Sequence, residues 1–331
     1  MLAILCPGQG SQSPGFLNPW LDLAGADERI AAFSAASGLD LRTHGTVSDA
    51  DTIRDTAVAQ PLIVSASLLA LGGVLEGRAA GEVVDVTAGH SVGEFSAAAV
   101  AGVLDDAEAV SLVTARASFM AEAAAATPTG MSAVVGGDPI EVLAAIEAAG
   151  LVPANVNGAG QVVAAGSLDG LARLAAAPPA KARVIPLQVA GAFHTSYMQS
   201  AADRLGPVAA RFAPHDPTLT LLSDADGRPY AELDAGARHG VGTRVLERLV
   251  AQVVAPVRWD LCQQTLLALG VTGAIELAPA GVLVGLARRT LPGVETVAVK
   301  TPDDLDAARD LVRRHAGVMP GGRPSTQETP S

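Results

Sequence analysis

Aromatic residues are scarce in this chain: Phe, Tyr and Trp make up 3% of its 331 residues. Hydrophobic residues nevertheless reach 49%, so intrinsic disorder is excluded by composition and the core must be filled mainly by close-packed Ala, Val and Leu. Cysteine is rarer still. Cys6 lies in a strand-like apolar run and Cys262 in a helix-like one, so no disulfide framework and no metal site are expected, and both thiols read as buried core residues. Cations are outnumbered, 22 Lys and Arg against 34 Asp and Glu, for a net charge of −12. A nucleic-acid partner needs the opposite balance. An acidic protein partner stays open, because a local basic patch can sit on an acidic surface. Long apolar runs are also missing: none approaches the roughly 18 residues that span a membrane. Residues 1–6 are too short for a signal-peptide core and run straight into Pro7-Gly8-Gln9-Gly10. A cytoplasmic protein with no membrane partner is expected.

The length suffices for one large domain, or for a domain with a smaller insert. Residues 2–6 and 83–88 read as buried strands, and 57–75, 91–103 and 105–125 as helices, with Pro61 in the first turn of its helix and Asp105 or Asp106 as a cap. Strands alternating with helices predict a mostly parallel sheet covered on both faces. From about Gly130 the rhythm changes to strand (131–135), helix (139–149), two strands (151–157 and 161–165), helix (168–176) and strand (182–189). That βαββαβ order is the pattern of a ferredoxin-like unit. Helices over 196–212, 241–254, 259–269 and 282–290, with strands over 218–223 and 272–277, complete the large part. The predicted architecture is a large α/β-hydrolase-like domain (1–126 and 191–316) with a ferredoxin-like subdomain inserted at 127–190. The Pro-, Gly-, Ser- and Thr-rich stretch 317–331 reads as a disordered tail.

The strongest chemical signal is Gly89-His90-Ser91-Val92-Gly93, a G-x-S-x-G pattern between a predicted strand and a predicted helix. A sharp turn there lifts the serine hydroxyl clear of the sheet, and the helix N-terminus directs positive charge at the reacting oxygen. Ser91 needs a base. His90 adjoins it, but neighbouring side chains on a turn diverge. His194, in Gly191-Ala192-Phe193-His194-Thr195, lies where the small subdomain rejoins the large one, and clefts form at such junctions. Backbone N–H groups of Gln9 and Val92 could form an oxyanion hole, where one donor is typically worth about 10²–10³ in rate. Arg116 is a lone positive charge in an Ala-rich helix, and a substrate carboxylate would suit it as a partner.

Gly8-Gln9-Gly10-Ser11-Gln12, Gly89-His90-Ser91-Val92-Gly93, Arg116 and Ala192-Phe193-His194, in this order and spacing, closely resemble malonyl-CoA:acyl carrier protein transacylases, most of all the stand-alone enzymes of high-GC actinobacteria. The resemblance runs over about residues 2–312 and includes Val58-Ala59-Gln60-Pro61, Asn155-Val156-Asn157-Gly158, Pro256-Val257-Arg258-Trp259 and Lys300-Thr301-Pro302-Asp303-Asp304. It implies that Ser91 is acylated, that His194 acts as base and then acid, and that Arg116 binds the malonyl carboxylate. Gln9 and Val92 would supply the oxyanion N–H groups. A main-chain carbonyl at Gln252 would orient the histidine in place of an aspartate. His90, Phe193, Gln60 and Asn157 join the substrate site by the same resemblance, with Val92 and Phe193 matching members that choose malonyl over branched acyl groups. The implied reaction is ping-pong, from malonyl-CoA to the phosphopantetheine thiol of an acyl carrier protein, in fatty-acid or polyketide synthesis. It takes no cofactor, and the enzyme is expected to be a monomer. Alternatives are the malonyl-transfer subunit of a malonate decarboxylase, a serine hydrolase or editing thioesterase, and a non-catalytic carrier-protein scaffold. Ala255 replaces a usual Asn, Ala278 and Ala280 replace glycines, and Cys6 replaces Phe. None of these changes removes a reacting group.

Overall fold

The computed structural model describes residues 1–232 and 240–317. The stretch 318–331, most of the expected tail, lies outside the described residues. Strand β1 (Leu2–Cys6), with all five residues buried, forms the middle of a five-stranded sheet. Its neighbours are β2 (Val86–Gly89) and the pair β8 (Gly273–Glu276) and β9 (Glu295–Ala298), with β7 (Thr220–Leu221) outside β2. Every pairing in this sheet is parallel. Cys6 stands opposite Gly89 and Leu5 opposite Glu276, so three strands end at one edge and their following turns lie side by side. In open parallel sheets that edge is where ligands bind.

A second sheet is antiparallel, in the order β4 (Val152–Gly158), β5 (Gln161–Ser167), β3 (Thr129–Gly136), β6 (Ala182–Pro186). Helices Pro139–Ala148 and Leu168–Ala176 link its strands in the βαββαβ order of a ferredoxin-like unit and pack Val142, Ile146 and Leu174 onto Val134, Val162 and Ala164. The N–H of Val156 bonds to the carbonyl of Val257 and that of Val257 to Ala154, both at 2.8 Å, tying this sheet to the segment that leads into helix Trp259–Ala268. The α/β class with a small ferredoxin-like unit is thus borne out.

Several local expectations shift. Residues 80–83 form a short helix closed by Glu82, and β2 starts only at Val86, because Asp85 accepts the N–H of Leu2 at 2.7 Å and sets the register against β1. Asp55 caps the helix Thr56–Leu75 through the N–H of Ala57, which puts Pro61 one turn deeper than predicted. The same helix corrects the expectation about apolar runs: its mean hydropathy of 1.9 over a membrane-spanning length was masked in the sequence by Gln60, Pro61, Ser65 and Ser67. It is 83% buried inside the protein as a core helix. The expected strand over 218–223 shortens to Thr220–Leu221, with Leu222 in an isolated bridge to Pro229, and the helix over 91–103 is confined to Gly93–Val100. Strand β9 and helix Leu305–His315, which Arg314 joins to Glu295, were not anticipated. Glu276, fully buried at the end of β8, accepts the N–H groups of Gly281, Leu283 and Val284 and so caps helix Val282–Thr290.

Gly93 lets the helix Gly93–Val100 lie directly against β1, since a Cβ there would lie 2.1 Å from the carbonyl oxygen of Cys6. Gly93→Ala should therefore force β1 and the helix apart, with a loss of about 1–3 kcal/mol. A urea midpoint equal to wild type would show that the sheet yields without cost.

Candidate active site

The turn between β2 and the helix Gly93–Val100 carries Ser91 in a left-handed conformation, φ 53°, rare for a residue with a side chain. Both of its peptide groups are held. Asp224 Oδ2 accepts the Ser91 N–H at 2.8 Å, and Gln252 Nε2 donates to the Ser91 carbonyl at 2.9 Å. His194, also left-handed at φ 60°, arrives from the segment after β6, where Ala192 is anchored through its N–H to Thr129 Oγ1.

His194 Nε2 lies 2.8 Å from Ser91 Oγ, and its Nδ1 lies 2.9 Å from the main-chain carbonyl of Gln252. A carbonyl can only accept, so the proton sits on Nδ1, and Nε2 offers its lone pair to the serine hydroxyl. Burial, helped by the nearby Arg116 charge, pushes the imidazole pKa down to about 3, while the Gln252 carbonyl pulls the other way. His194 is a neutral ring ready to accept a proton.

Arg116 is 1% exposed. Its Nη1 donates to Gln60 Oε1 at 2.6 Å, and its Nη2 to Gln252 Oε1 at 2.7 Å and to Ser91 Oγ at 3.3 Å. Burial lowers its pKa to about 10, opposed by Asp224 and Glu94, so it stays charged at neutral pH. Its Nε has no partner among the described residues. His90 turns away to Asn157, with Nε2 2.9 Å from Oδ1, and packs its edge against Trp259. Burial lowers the pKa of His90 as well.

A cavity of about 230 Å³ opens over Ser91 between the two sheets. Gln9, Gln60, His90, Val92, Asn157, Phe193 and His194 all line it, whereas Arg116 and Gln252 lie behind Ser91, off its surface. The main-chain N–H groups of Gln9 and Val92 take no partner among the described residues. A second cavity of about 340 Å³ shares Gln9, Leu187 and Val189 with the first. Among the described residues no three His, Cys, Asp or Glu side chains gather where they could hold a metal ion.

All ten candidate residues thus meet at one place. Two more belong there that the sequence reading passed over. Glu94 directly follows the serine motif in an apolar helix, the same kind of isolated charge that singled out Arg116. Asp224, in Ser223-Asp224-Ala225-Asp226-Gly227, looks like any turn aspartate, and only its burial distinguishes it.

The family model for the acyl transferase domain matches residues 4–305. The chain belongs to the acyl transferase domain family. It is 51% identical over 311 residues to the malonyl CoA-acyl carrier protein transacylase of Mycobacterium tuberculosis, covering 94% of this chain and 100% of that protein. The Escherichia coli protein of the same name is 34% identical over 319 residues, covering 93% of this chain and 99% of its own. Among solved structures of the acyl transferases, the crystal structure of MCAT from Mycobacterium tuberculosis superposes with a TM-score of 0.87 at 51% identity, over 93% of this chain and 99% of that one. A type II PKS acyl-carrier protein in complex with its malonyl-transacylase superposes at 0.83 with 28% identity, over 93% and 99%. The resemblance drawn from the motifs is borne out.

An ordinary histidine base would lose half its activity near pH 6.5. With the His194 pKa depressed to about 3, the neutral base persists as pH falls. Labelling of Ser91 by a serine-directed fluorophosphonate should hold its rate from pH 8 to about 5 and vanish in Ser91→Ala. A halving of the wild-type rate near pH 6.5 would contradict this reading of His194.

Proposed function

We propose that the protein moves a malonyl group from coenzyme A to the phosphopantetheine thiol of an acyl carrier protein, through an ester on Ser91. The observation that carries this reading is the convergence on Ser91 Oγ of an imidazole nitrogen at 2.8 Å and a buried guanidinium nitrogen at 3.3 Å. The names of the 51% identical relatives support the choice of acyl group and acceptor.

In the first half-reaction His194 Nε2 takes the Ser91 proton as Oγ attacks the thioester carbonyl. The N–H groups of Gln9 and Val92 receive the oxyanion. Collapse expels the coenzyme A thiolate, which His194⁺ protonates. In the second half-reaction the carrier's thiol gives its proton to His194 as its sulfur attacks the malonyl ester. The thioester forms as Ser91 regains the proton.

The malonyl carboxylate pairs with Arg116, whose Nη2 lies 3.3 Å from Ser91 Oγ. Gln60 and Gln252 hold the guanidinium plane for that two-pronged contact. Phe193, on the cavity wall, crowds the acyl α-carbon; excluding one methyl in this way is worth about 1–3 kcal/mol. The reaction requires neither metal nor organic cofactor, and its setting is a cytoplasmic monomer serving fatty-acid or polyketide carriers.

Intact-mass measurement after mixing with malonyl-CoA should show one malonyl adduct, absent from Ser91→Ala. His194→Ala should slow adduct formation by about 10²–10⁴. Arg116→Ala should erase the preference for malonyl over acetyl. An adduct of equal yield on Ser91→Ala would exclude the serine ester, and an unchanged preference would remove Arg116 from the carboxylate site.

A further inference from the structure

Beneath Ser91 lie two carboxyl groups to which the reaction above gives no part. Glu94, on the first turn of the helix Gly93–Val100, is 3% exposed, and Asp224, in the turn after β7, is fully buried. Among the described residues Arg116 is the only Lys or Arg buried to this depth. Two ionised carboxylates against one guanidinium would leave a net buried negative charge, and like charges in contact do not both ionise cheaply. The pair therefore keeps one proton at neutral pH.

The hydrogen bonds tell which member carries it. Glu94 accepts on both oxygens, from the Asp224 N–H at 2.8 Å and from Gln252 Nε2 at 2.6 Å. Asp224 receives both of its donors on Oδ2, the Ser91 N–H at 2.8 Å and Gln252 Nε2 at 3.1 Å, while its Oδ1 has no partner. Donors on both oxygens stabilise a charge on Glu94 more than donors on a single oxygen stabilise one on Asp224, so the shared proton resides on Asp224. Burial and the Glu94 charge both raise the pKa of Asp224 well above the usual carboxylate range; burial raises Glu94 too, but the Asp224 N–H, Gln252 and Arg116 pull it back down. The other groups facing the pair do not supply a compensating cation. Tyr230 and Cys262 are kept neutral by burial, His194 is neutral, and Arg248 is engaged with Asp226.

We infer that Asp224 is a positioning residue for the nucleophile: as the protonated member of a carboxyl pair with Glu94, it holds the Ser91 N–H and so keeps the serine in its left-handed turn at no net cost in buried charge. The inference rests on Ser91 being the nucleophile but not on malonyl being its acyl group. Raising the pH until Asp224 ionises would put an uncompensated charge against Gln252 and Ser91, so transfer should decline on the alkaline side.

Transfer kinetics and fluorophosphonate labelling of Ser91 should be measured from pH 6 to 9.5 on wild type, Asp224→Ala and Asp224→Asn. The alanine variant should lose about 10–100-fold in kcat with KM within about twofold, and should label Ser91 correspondingly slowly. Asparagine can accept the Ser91 N–H on its oxygen and stays neutral at every pH. It should restore most of the lost rate and abolish the alkaline decline. Wild-type kcat in the alanine variant would overturn the positioning role. An asparagine variant as slow as alanine, or one with the wild-type alkaline limb, would overturn the protonated state. Should the alanine variant fail to fold, infrared difference spectra decide: wild type at neutral pH should show the carbonyl stretch of a protonated buried carboxyl that Asp224→Asn lacks, and its absence from wild type defeats the inference. Slow labelling in Asp224→Ala alongside normal labelling but no malonyl transfer in wild type would leave the positioning role standing and the malonyl assignment fallen.

Discussion

One side chain and its own carbonyl hold the site together. Gln252 offers its main-chain oxygen to His194 and its Oε1 to Arg116, and shares the two hydrogens of its Nε2 among the Ser91 carbonyl, Glu94 and Asp224. Four segments, separated from Gln252 by up to 161 positions in the chain, are thereby fixed against one residue at the end of a helix. A glutamine can do this because its amide both donates and accepts. A glutamate there would have no N–H for the carboxylates, and a lysine no acceptor for Arg116. The same arrangement removes any need for an aspartate behind the histidine. A carbonyl selects the tautomer as firmly as a carboxylate does, without adding a further charge to a pocket that already holds Arg116, Glu94 and Asp224.

The site is built at a local conformational cost. Ser91 and His194 both occupy the left-handed region, where a residue with a side chain costs of order 1–3 kcal/mol. The chain offsets this with close packing of small residues under the turn. Gly89 and Gly93 let the strand, the turn and the helix approach nearer than any side chain would permit, and the scarcity of aromatic residues is the same strategy extended to the core. Such a turn is stiff. Its serine oxygen is already in place for the imidazole before any ligand arrives.

Much of this was legible in the sequence, and what was not has physical reasons. Ser91 was readable because a glycine-flanked serine between a strand and a helix has few other uses, and Arg116 because an apolar helix does not tolerate a stray cation. The ferredoxin-like unit followed from the order of its short elements. Strand β2 was misplaced because Val83 and Val84 suit a strand as well as Val86 does, and only the bond from Leu2 to Asp85 chooses between registers. Strand β9 and its helix are amphipathic and half exposed, so no apolar run marked them. Glu94, Asp224 and the side chain of Gln252 escaped because their roles depend on mutual burial, which becomes visible only when segments distant in the sequence come together.

What the free protein leaves unpaired is as informative as what it pairs. Among the described residues the N–H groups of Gln9 and Val92, on the cavity wall, take no partner, and neither does Arg116 Nε. An unpaired donor costs free energy in the resting state unless water fills the place. In the proposed reaction the oxyanion meets the two N–H groups at full charge only in the tetrahedral intermediate. Their contribution is then larger there than with the flat thioester carbonyl, which is the condition for accelerating a step and not merely tightening binding. Arg116 works differently. In the proposed reaction its contact with a carboxylate is equally good before and after acyl transfer, so there it selects the substrate and anchors the ester, while the speed of the chemistry rests on the N–H pair and on His194.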